Sequence, residues 1–113
     1  MFDCRCLPNP GKFEEYQVLT GLDTSVQEWL EAKEETAMFL NHVKETLELS
    51  VKRYITQDFE RLMVSCGCTG GQHRSVYVAE KLHKHFARYL GLSVQLTHIE
   101  QSLWPTSTQV QER

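Results

Sequence analysis

Residues Cys66–Ser75, with the sequence CGCTGGQHRS, decide the predicted fold of this 113-residue chain. They follow a short apolar run, Leu62–Cys66, which predicts a buried strand. A stretch with helical periodicity comes directly after them. Glycines at three positions of the segment allow the backbone to turn sharply. The segment is therefore predicted to be a loop that joins a buried strand to the start of a helix.

The sequence after the loop predicts one helix and one strand. The helix runs from about His73 to Tyr89, and Gly91 is a good stop signal behind it. Further on, Val94, Leu96 and His98 alternate with polar residues, which predicts a final strand. The apolar stripe of the helix consists of Val78, Ala79, Leu82, Phe86 and Leu90.

The sequence before the loop predicts a strand at Phe2–Cys6 and an ordered loop at Lys12–Asp23. Ser25 and Glu28 form a capping-box pattern that predicts the start of a short helix. A longer helix is predicted from about Glu34 to Ile55, because apolar residues recur there at spacings of three and four.

The predicted order of elements is β-α-α-β-α-β, which favours a small α/β fold. We expect a mostly parallel sheet flanked by helices, formed by one domain over residues 1–100. A polar and flexible tail is predicted for residues 101–113. In parallel sheets ligands bind at the carboxyl ends of the strands. The loop after Cys66 is such an end.

Composition excludes several classes of protein. Hydrophobic residues make up 41% and charged residues 24% of the chain, as in ordinary globular domains. No apolar run approaches the roughly 18 residues that a membrane span needs, and the first residues show no signal-peptide pattern. We therefore expect a cytoplasmic protein without a membrane partner. The net charge of −3 argues against a broad nucleic-acid surface.

The chemistry of the loop favours anion binding. Backbone amides at Gly70, Gly71 and Gln72 can converge on one point, and the following helix adds its positive end. Arg74 can bind phosphate or carboxylate through two bonds. His73, Thr69 and Ser75 add donors. Phosphate, sulfate or a sugar phosphate suits this set, whereas ATP hydrolysis is not predicted because no Gly-Lys-Ser/Thr follows the glycines.

A second interpretation is a cysteine-dependent phosphatase. Cys68, Arg74 and Ser75 fit the pattern C-x₅-R-S, in which the arginine holds the phosphate and a thiolate attacks phosphorus. A helix N-terminus and an arginine would lower the pKa of the thiol, as this chemistry requires. The general acid would be Asp3 or Asp23.

Cysteines and histidines outside this pattern have simpler interpretations. The pairs Cys4/Cys6 and Cys66/Cys68 could supply four thiolates to zinc, but structural zinc usually has longer spacing within each pair. We predict buried packing instead, with neither a metal nor a cofactor. His98 is equally well explained as a core histidine or a donor in a pocket. Trp104 is either a packing anchor or a contact for a partner.

Three motifs in order give the chain a resemblance to a known family. They are Phe2-Asp3-Cys4-Arg5 with Leu7–Pro10, then Thr20–Asp23, then Gly67–Tyr77. Together they resemble the C-terminal domain of the RapZ family of bacterial regulatory and RNase adapter proteins. Family members typically carry an N-terminal nucleotide-binding domain with a P-loop, which has no counterpart in this sequence.

The resemblance implies a non-enzymatic regulatory α/β domain with a pocket for a phosphorylated sugar or similar anion. It also implies homo-oligomers and, in full-length members, binding of a small RNA. Cys68 then belongs to a binding loop and is not a nucleophile. Because this chain is less basic around His98 and toward Arg113, RNA affinity should be weak. The predicted ligand-binding residues are Thr69, Gly70, Gly71, Gln72, His73, Arg74 and Ser75, with Arg5, Asn9 and His98.

Overall fold

The sheet of the computed structural model, which describes residues 1–89 and 91–105, consists of two short parallel strands. Strand β1 is Phe2–Asp3 and strand β2 is Cys66–Gly67, paired so that Phe2 lies beside Cys66. After β1 the chain enters a 3-10 helix at Cys4–Cys6, because the Asp3 carboxylate accepts a hydrogen bond from the Arg5 amide. The predicted α/β class with a parallel sheet is confirmed.

Two helices that pack against each other lie between the two strands in the sequence. Helix α2 is Thr24–Glu31 and helix α3 is Glu34–Thr56. The bounds of α3 agree with the prediction to within a residue, since its two N-terminal glutamates lie in the first turn, where they favour the helix dipole. The buried face of α3 has the predicted spacing of three and four and consists of Thr36, Leu40, Val43, Leu47 and Val51.

Helix α4, Arg74–Phe86, follows the loop and supplies most of the remaining core. Its first five residues, Arg74–Val78, are all buried, so side chains on every face of this part of the helix pack against the protein. The predicted one-sided stripe holds only for its second half, at Leu82 and Phe86. Val78 contacts the same apolar cluster as Leu30 of α2. The buried first turns of α4 hold the base of the loop against the core, while Thr69 and Gly70 stay exposed.

The segment between residues 10 and 24 is more regular than predicted. The expected ordered loop contains a 3-10 helix at Pro10–Lys12 and a short helix α1 at Glu14–Gln17. The prediction that Ser25 and Glu28 form a capping box at the helix start was wrong, because α2 begins one residue earlier, at Thr24. Its N-cap residue is Asp23, which makes no side-chain cap bond. The Asp23 carboxylate instead accepts a bond of 2.7 Å from the Thr20 amide, which closes the turn before the helix.

Two predicted strands differ from the structure. Residues 62–65 belong to no strand and are exposed, with Met63 89% exposed, so the prediction of a buried strand was wrong for the residues before Cys66. Residues 92–98 show the predicted alternation of exposure, yet they form no ladder with any described residue. Alternating burial therefore comes here from packing on one side, and the predicted third strand is absent from the described residues.

The part of the predicted tail that the structure describes is mostly exposed, apart from the buried Trp104. Residues Gln101–Leu103 form a 3-10 helix, and Trp104 is 5% exposed. Residues 106–113 lie outside the described residues, as does Leu90 of the predicted stripe. The domain boundary at residue 100 stays a prediction. Among the described helices, none is long and apolar enough to cross a membrane.

Candidate functional site

The loop between β2 and α4 has the glycine geometry that the sequence predicts. Gly70 has a φ of 81° and Gly71 a φ of 61°, a region that side chains strongly disfavour. A Cβ placed on Gly70 would meet no atom within 4 Å, so this position opens to solvent. Thr69 beside it is exposed as well. The tip of the loop is therefore accessible to a ligand.

Several backbone amides of this loop have no acceptor among the residues that the structure describes. No described atom accepts a hydrogen bond from the amides of Gly70, Gln72, His73 or Arg74. The N-cap residue of α4, His73, makes no side-chain cap bond either. Unpaired amides at a helix start carry partial positive charge and bind anions or water.

The turn Thr20–Asp23 packs against the end of the loop, at the backbone of Gln72 and His73. The Gly21 amide donates to the Gln72 carbonyl at 2.9 Å, and a Cβ at Gly21 would lie 2.5 Å from the His73 carbonyl oxygen. The Gln72 side chain donates to the carbonyls of Gln17 and Leu19, both at 2.8 Å. Gln72 thus ties the loop to the segment before α2 and leaves no amide hydrogen for a ligand.

His73 is a second tie. Its side chain is buried, and Nε2 donates to the Tyr16 carbonyl at 2.8 Å. The ring lies 3.4 Å from the position that a Cβ on Gly11 would take, next to Asn9. The Asn9 oxygen accepts from the Gly11 amide at 2.9 Å. The structure therefore brings Asn9 and His73 together, with both side chains engaged in holding backbone.

Arg74 braces the loop against the chain that follows β1. The residue is 6% exposed, and its Nη1 donates to the carbonyls of Arg5 at 3.0 Å and Leu7 at 3.1 Å. Its charge also favours the ionised forms of Asp3 and Cys68. Since its two hydrogen bonds to described residues hold backbone, the two-bond clamp on phosphate that the sequence suggests stays a prediction.

Arg5 is exposed and paired with its neighbour. Its guanidinium binds the Asp3 carboxylate through Nε at 3.0 Å and Nη2 at 2.7 Å. These bonds lower the pKa of Asp3 to about 2. The structure therefore places the Arg5 side chain in an ion pair and brings only its carbonyl to Arg74.

His98 reaches the loop through Trp104. Its Nε2 lies 2.8 Å from the Glu80 carboxylate, and its ring centroid is 5.5 Å from that of Trp104. The Trp104 indole donates to the Gly71 carbonyl at 2.9 Å. On the same side, a Cβ on Gly71 would lie 2.8 Å from the Cγ atom of Glu100. Residues 98–104 thus cover one flank of the loop.

Cys68 has the environment of an activated thiol. Its sulfur accepts from the Ser75 amide at 3.3 Å and lies 3.2 Å from the Ser75 hydroxyl. Burial opposes ionisation, but the bonds from Ser75, the Gly71 amide and the charge of Arg74 outweigh it and hold the pKa of Cys68 below its usual value. Cys68 and Ser75 therefore form one polar unit at the base of the loop.

A groove along α4 also contains cationic side chains of the kind that bind anions. Its volume is about 380 Å³, and it is lined by Gln27, Glu80, Lys81, His83, Lys84 and Ala87. Lys81 is already paired with Glu31 at 3.1 Å, and Glu80 adds negative charge to the groove.

Among the described residues, no three side chains of His, Cys, Asp or Glu are grouped as a metal site requires.

Sequence reasoning missed three residues that shape the loop: Gly21, Glu80 and Glu100. Gly21 lies in the Thr20–Asp23 motif, and the motif itself was the only signal of its role. Glu80 and Glu100 come from a helix face and a connecting turn that look solvated in the sequence. Trp104 had two open interpretations, and the structure shows it to be a packing anchor.

Comparison with known proteins gives consistent matches. The family model for the RapZ C-terminal domain matches residues 1–102. A nucleotide-binding protein of Geobacter sulfurreducens is 43% identical over 98 residues, which cover 87% of this chain and 34% of that protein. A nucleotide-binding protein of Lactobacillus acidophilus is 39% identical over 100 residues, covering 88% and 33% respectively. The chain thus spans about a third of the length of the curated relatives it matches.

Proposed function

The chain belongs to the RapZ C-terminal domain family, and from that premise we propose that it is a regulatory domain that binds the phosphate group of a small molecule on the loop Gly67–Ser75. The observation that carries the proposal is a group of amides, from the exposed Gly70 to His73 and Arg74 at the start of α4, that have no acceptor among the described residues. Amides at a helix start bind phosphate without a dedicated side chain.

Residues of the proposed site divide into two groups. Thr69 and Gly70 are exposed and would contact the ligand. Gly71 keeps the turn, and the remaining predicted residues hold the loop in place through bonds to backbone or to Cys68. These are Gln72, His73, Arg74 and Ser75. Arg74 contributes without touching the ligand, because the positive charge of its buried guanidinium attracts a phosphate over several ångströms.

Asn9, Arg5 and His98 lie at the border of the proposed site. Asn9 stands next to His73, and His98 is connected to the loop by Trp104. Arg5 could contribute to a ligand only after release from Asp3. We propose that these three residues shape the approach to the loop and that they contribute less to affinity than the amides do.

The class of ligand follows from the shared phosphate chemistry. The relatives are named nucleotide-binding proteins, but this chain corresponds to a third of their length, so the named ligand can bind another part of them. Sugar phosphates and nucleotides both present a terminal phosphate that amides can hold. Which of them is the natural ligand is decided by comparing their affinities.

RNA is a weaker candidate partner. Two of the cationic side chains among the described residues, Arg5 and Lys81, are already paired with carboxylates. Since RNA affinity depends on free phosphate-neutralising charge, any binding should fall steeply with salt. Filter binding of a short hairpin RNA at low and high salt tests this partner. Light scattering tests whether the chain forms the homo-oligomer that its family suggests.

The decisive experiment compares two glycine substitutions. Gly70 and Gly91 have almost the same φ, 81° and 84°, and a Cβ meets nothing within 4 Å at either position. Alanine therefore costs a similar strain of about 1–2 kcal/mol at both. Gly91 lies beyond the far end of α4, whose 13 residues span about 20 Å. Gly91→Ala is therefore a matched control away from the loop.

Calorimetric titration with a sugar phosphate and with a nucleotide monophosphate gives the readout. We expect Gly70→Ala to weaken binding about tenfold, because the alanine loop relaxes away from the left-handed conformation and must recover that strained conformation to bind the ligand. Gly91→Ala should leave the affinity unchanged. Equal affinities for both variants and the unmodified protein would rule out the loop as the site.

The competing function is a cysteine-dependent phosphatase, which the lowered pKa of Cys68 and its contact with Ser75 favour. Two observations oppose it. The Arg74 guanidinium donates hydrogen bonds to the backbone carbonyls of Arg5 and Leu7. Of the two candidate acids, Asp3 has a pKa of about 2 and Asp23 accepts a bond from the Thr20 amide. Turnover of p-nitrophenyl phosphate that Cys68→Ser abolishes would establish the phosphatase instead.

A further inference from the structure

The side chain of Trp104 contacts the glycine loop at the carbonyl of Gly71. Trp104 is 5% exposed, and its indole Nε1 donates to that carbonyl at 2.9 Å. The Glu100 side chain lies against the same glycine, because a Cβ on Gly71 would come within 2.8 Å of its Cγ atom. Both contacts come from the segment that follows His98, and together they hold one side of Gly71 in place.

The ring of Trp104 is in turn held by His98. The two ring centroids are 5.5 Å apart, with an angle of 43° between the ring planes. The His98 side chain is 10% exposed, and its Nε2 donates to the Glu80 carboxylate at 2.8 Å. Glu80 belongs to α4, the helix that begins directly after the loop. The indole donor of Trp104 therefore has a defined position relative to the loop.

The hydrogen bond to Gly71 also determines the direction of the next backbone amide. The Gly71 carbonyl and the Gln72 amide belong to one planar peptide unit, and in a trans unit they point in opposite directions. None of the described peptide bonds is cis. Because the carbonyl faces the buried indole, the Gln72 amide points away from Trp104, and it has no acceptor there among the described residues.

We propose, on the premise that the loop binds phosphate as argued above, that Trp104 is a positioning residue: its indole orients the peptide unit so that the Gln72 amide, and not the Gly71 carbonyl, faces the anion. The amide hydrogen attracts a phosphate oxygen, whereas the carbonyl oxygen repels it. Glycine at position 71 lets the peptide unit rotate more freely than another residue would. A contact from outside the loop is therefore needed to select one orientation.

The same peptide unit couples the ligand to the indole. An anion that accepts a hydrogen bond from the Gln72 amide polarises the unit and makes the Gly71 carbonyl a stronger acceptor, because hydrogen bonds in a chain strengthen one another. Phosphate should therefore change the resonance of the Trp104 indole proton, although the buried ring does not touch the ligand. A tryptophan that only fills space in the core would give no such response.

The chain contains a second tryptophan, Trp29, which serves as an internal reference. Its ring packs against those of Phe13 and Tyr16, at centroid distances of 5.8 and 6.1 Å. The experiment is an NMR titration of the isotope-labelled full chain with inorganic phosphate. We expect the Trp104 indole proton to move downfield along the same saturable curve as the Gly70 amide, and the Trp29 indole proton to stay in place.

Two phenylalanine substitutions form a matched pair. Trp104→Phe keeps an aromatic ring but removes the indole donor, so phosphate affinity should fall about fivefold, which corresponds to the loss of a net hydrogen bond of about 1 kcal/mol. In this variant the shift of the Gln72 amide at saturation should shrink, while that of the Gly70 amide persists. Trp29→Phe makes the same change at a half-buried position and should leave the affinity unchanged.

The outcomes separate the role of Trp104 from the function of the loop. If the Gly70 and His73 amides saturate while the Trp104 indole proton stays in place, or if both variants bind phosphate equally well, the positioning role is overturned and the loop remains the anion site. If no loop amide shows a saturable shift, the proposed function fails and the positioning role fails with it. The indole signals of the unmodified protein decide the question even if Trp104→Phe does not fold.

Discussion

Substitution of Gly21 by alanine should test how the turn Thr20–Asp23 holds the loop in place. The Gly21 backbone lies directly against the start of α4. A Cβ at this position would lie 2.5 Å from the His73 carbonyl oxygen, 2.6 Å from the Tyr77 amide nitrogen and 2.9 Å from the Val76 Cβ. Two of these three atoms are backbone, so no rotamer change can relieve the contact.

The magnitude follows from the shift that the turn must make. Overpacking of a closely packed interior costs about 1–3 kcal/mol. Separation of the turn from the helix also breaks the 2.9 Å bond from the Gly21 amide to the Gln72 carbonyl, for which a net loss of about 1 kcal/mol is typical. We therefore expect the free energy of unfolding to fall by about 2–4 kcal/mol.

Urea unfolding followed by tryptophan fluorescence measures this loss. With a slope of about 1–2 kcal/mol/M for a chain of this size, the midpoint should fall by on the order of 2 M. Gly67→Ala is the matched control, because its Cβ would meet only the Met1 side-chain end at 3.5 Å, and its stability should change by less than about 1 kcal/mol. A loss in Gly21→Ala no larger than in Gly67→Ala would refute the close-approach reasoning.

Three further predictions concern single polar contacts around the loop. Ser75→Ala removes a hydroxyl that stabilises the Cys68 thiolate, so the pKa of Cys68 should rise and alkylation by iodoacetamide should need a higher pH; an unchanged pH profile would contradict this. Trp104→Phe removes one indole bond and should cost about 1 kcal/mol in unfolding free energy, whereas no loss would show the bond to be dispensable. Asp3 has its pKa lowered from 3.8 to about 2 by Arg5, so this pair stabilises the fold above pH 3.8 and loses its effect as pH falls toward 2. In Arg5→Ala, NMR titration of the Asp3 carboxyl should give a pKa near the ordinary value, and one still near 2 would assign the shift to another cause.

Local patterns predicted the helices well because their causes are local. The apolar spacing of α3 is a property of one segment, and burial of Leu40, Val43, Leu47 and Val51 follows from it directly. The glycine loop was predicted for the same reason, since positive φ at Gly70 and Gly71 is a requirement of the local backbone.

The roles of Arg74 and His73 were not predictable in this way. Arg74 bonds to carbonyls 67 and 69 positions earlier in the chain, and His73 bonds to one 57 positions earlier. A cationic side chain beside glycines suggests a ligand contact, but the sequence does not show which backbone groups will surround it. The predicted strand at residues 94–98 failed for a related reason: alternation specifies which side is buried, and a ladder also needs a partner strand.

The most direct test of the anion site is an NMR titration with inorganic phosphate that follows every assigned backbone amide. We expect the amides of Gly70, Gln72 and His73 to shift together along one saturable curve, since they have no acceptor among the described residues. Lys81 and Lys84, in the groove on α4, should stay unchanged. Shifts at those lysines with none in the loop, or no saturable shift at all, would contradict the central claim.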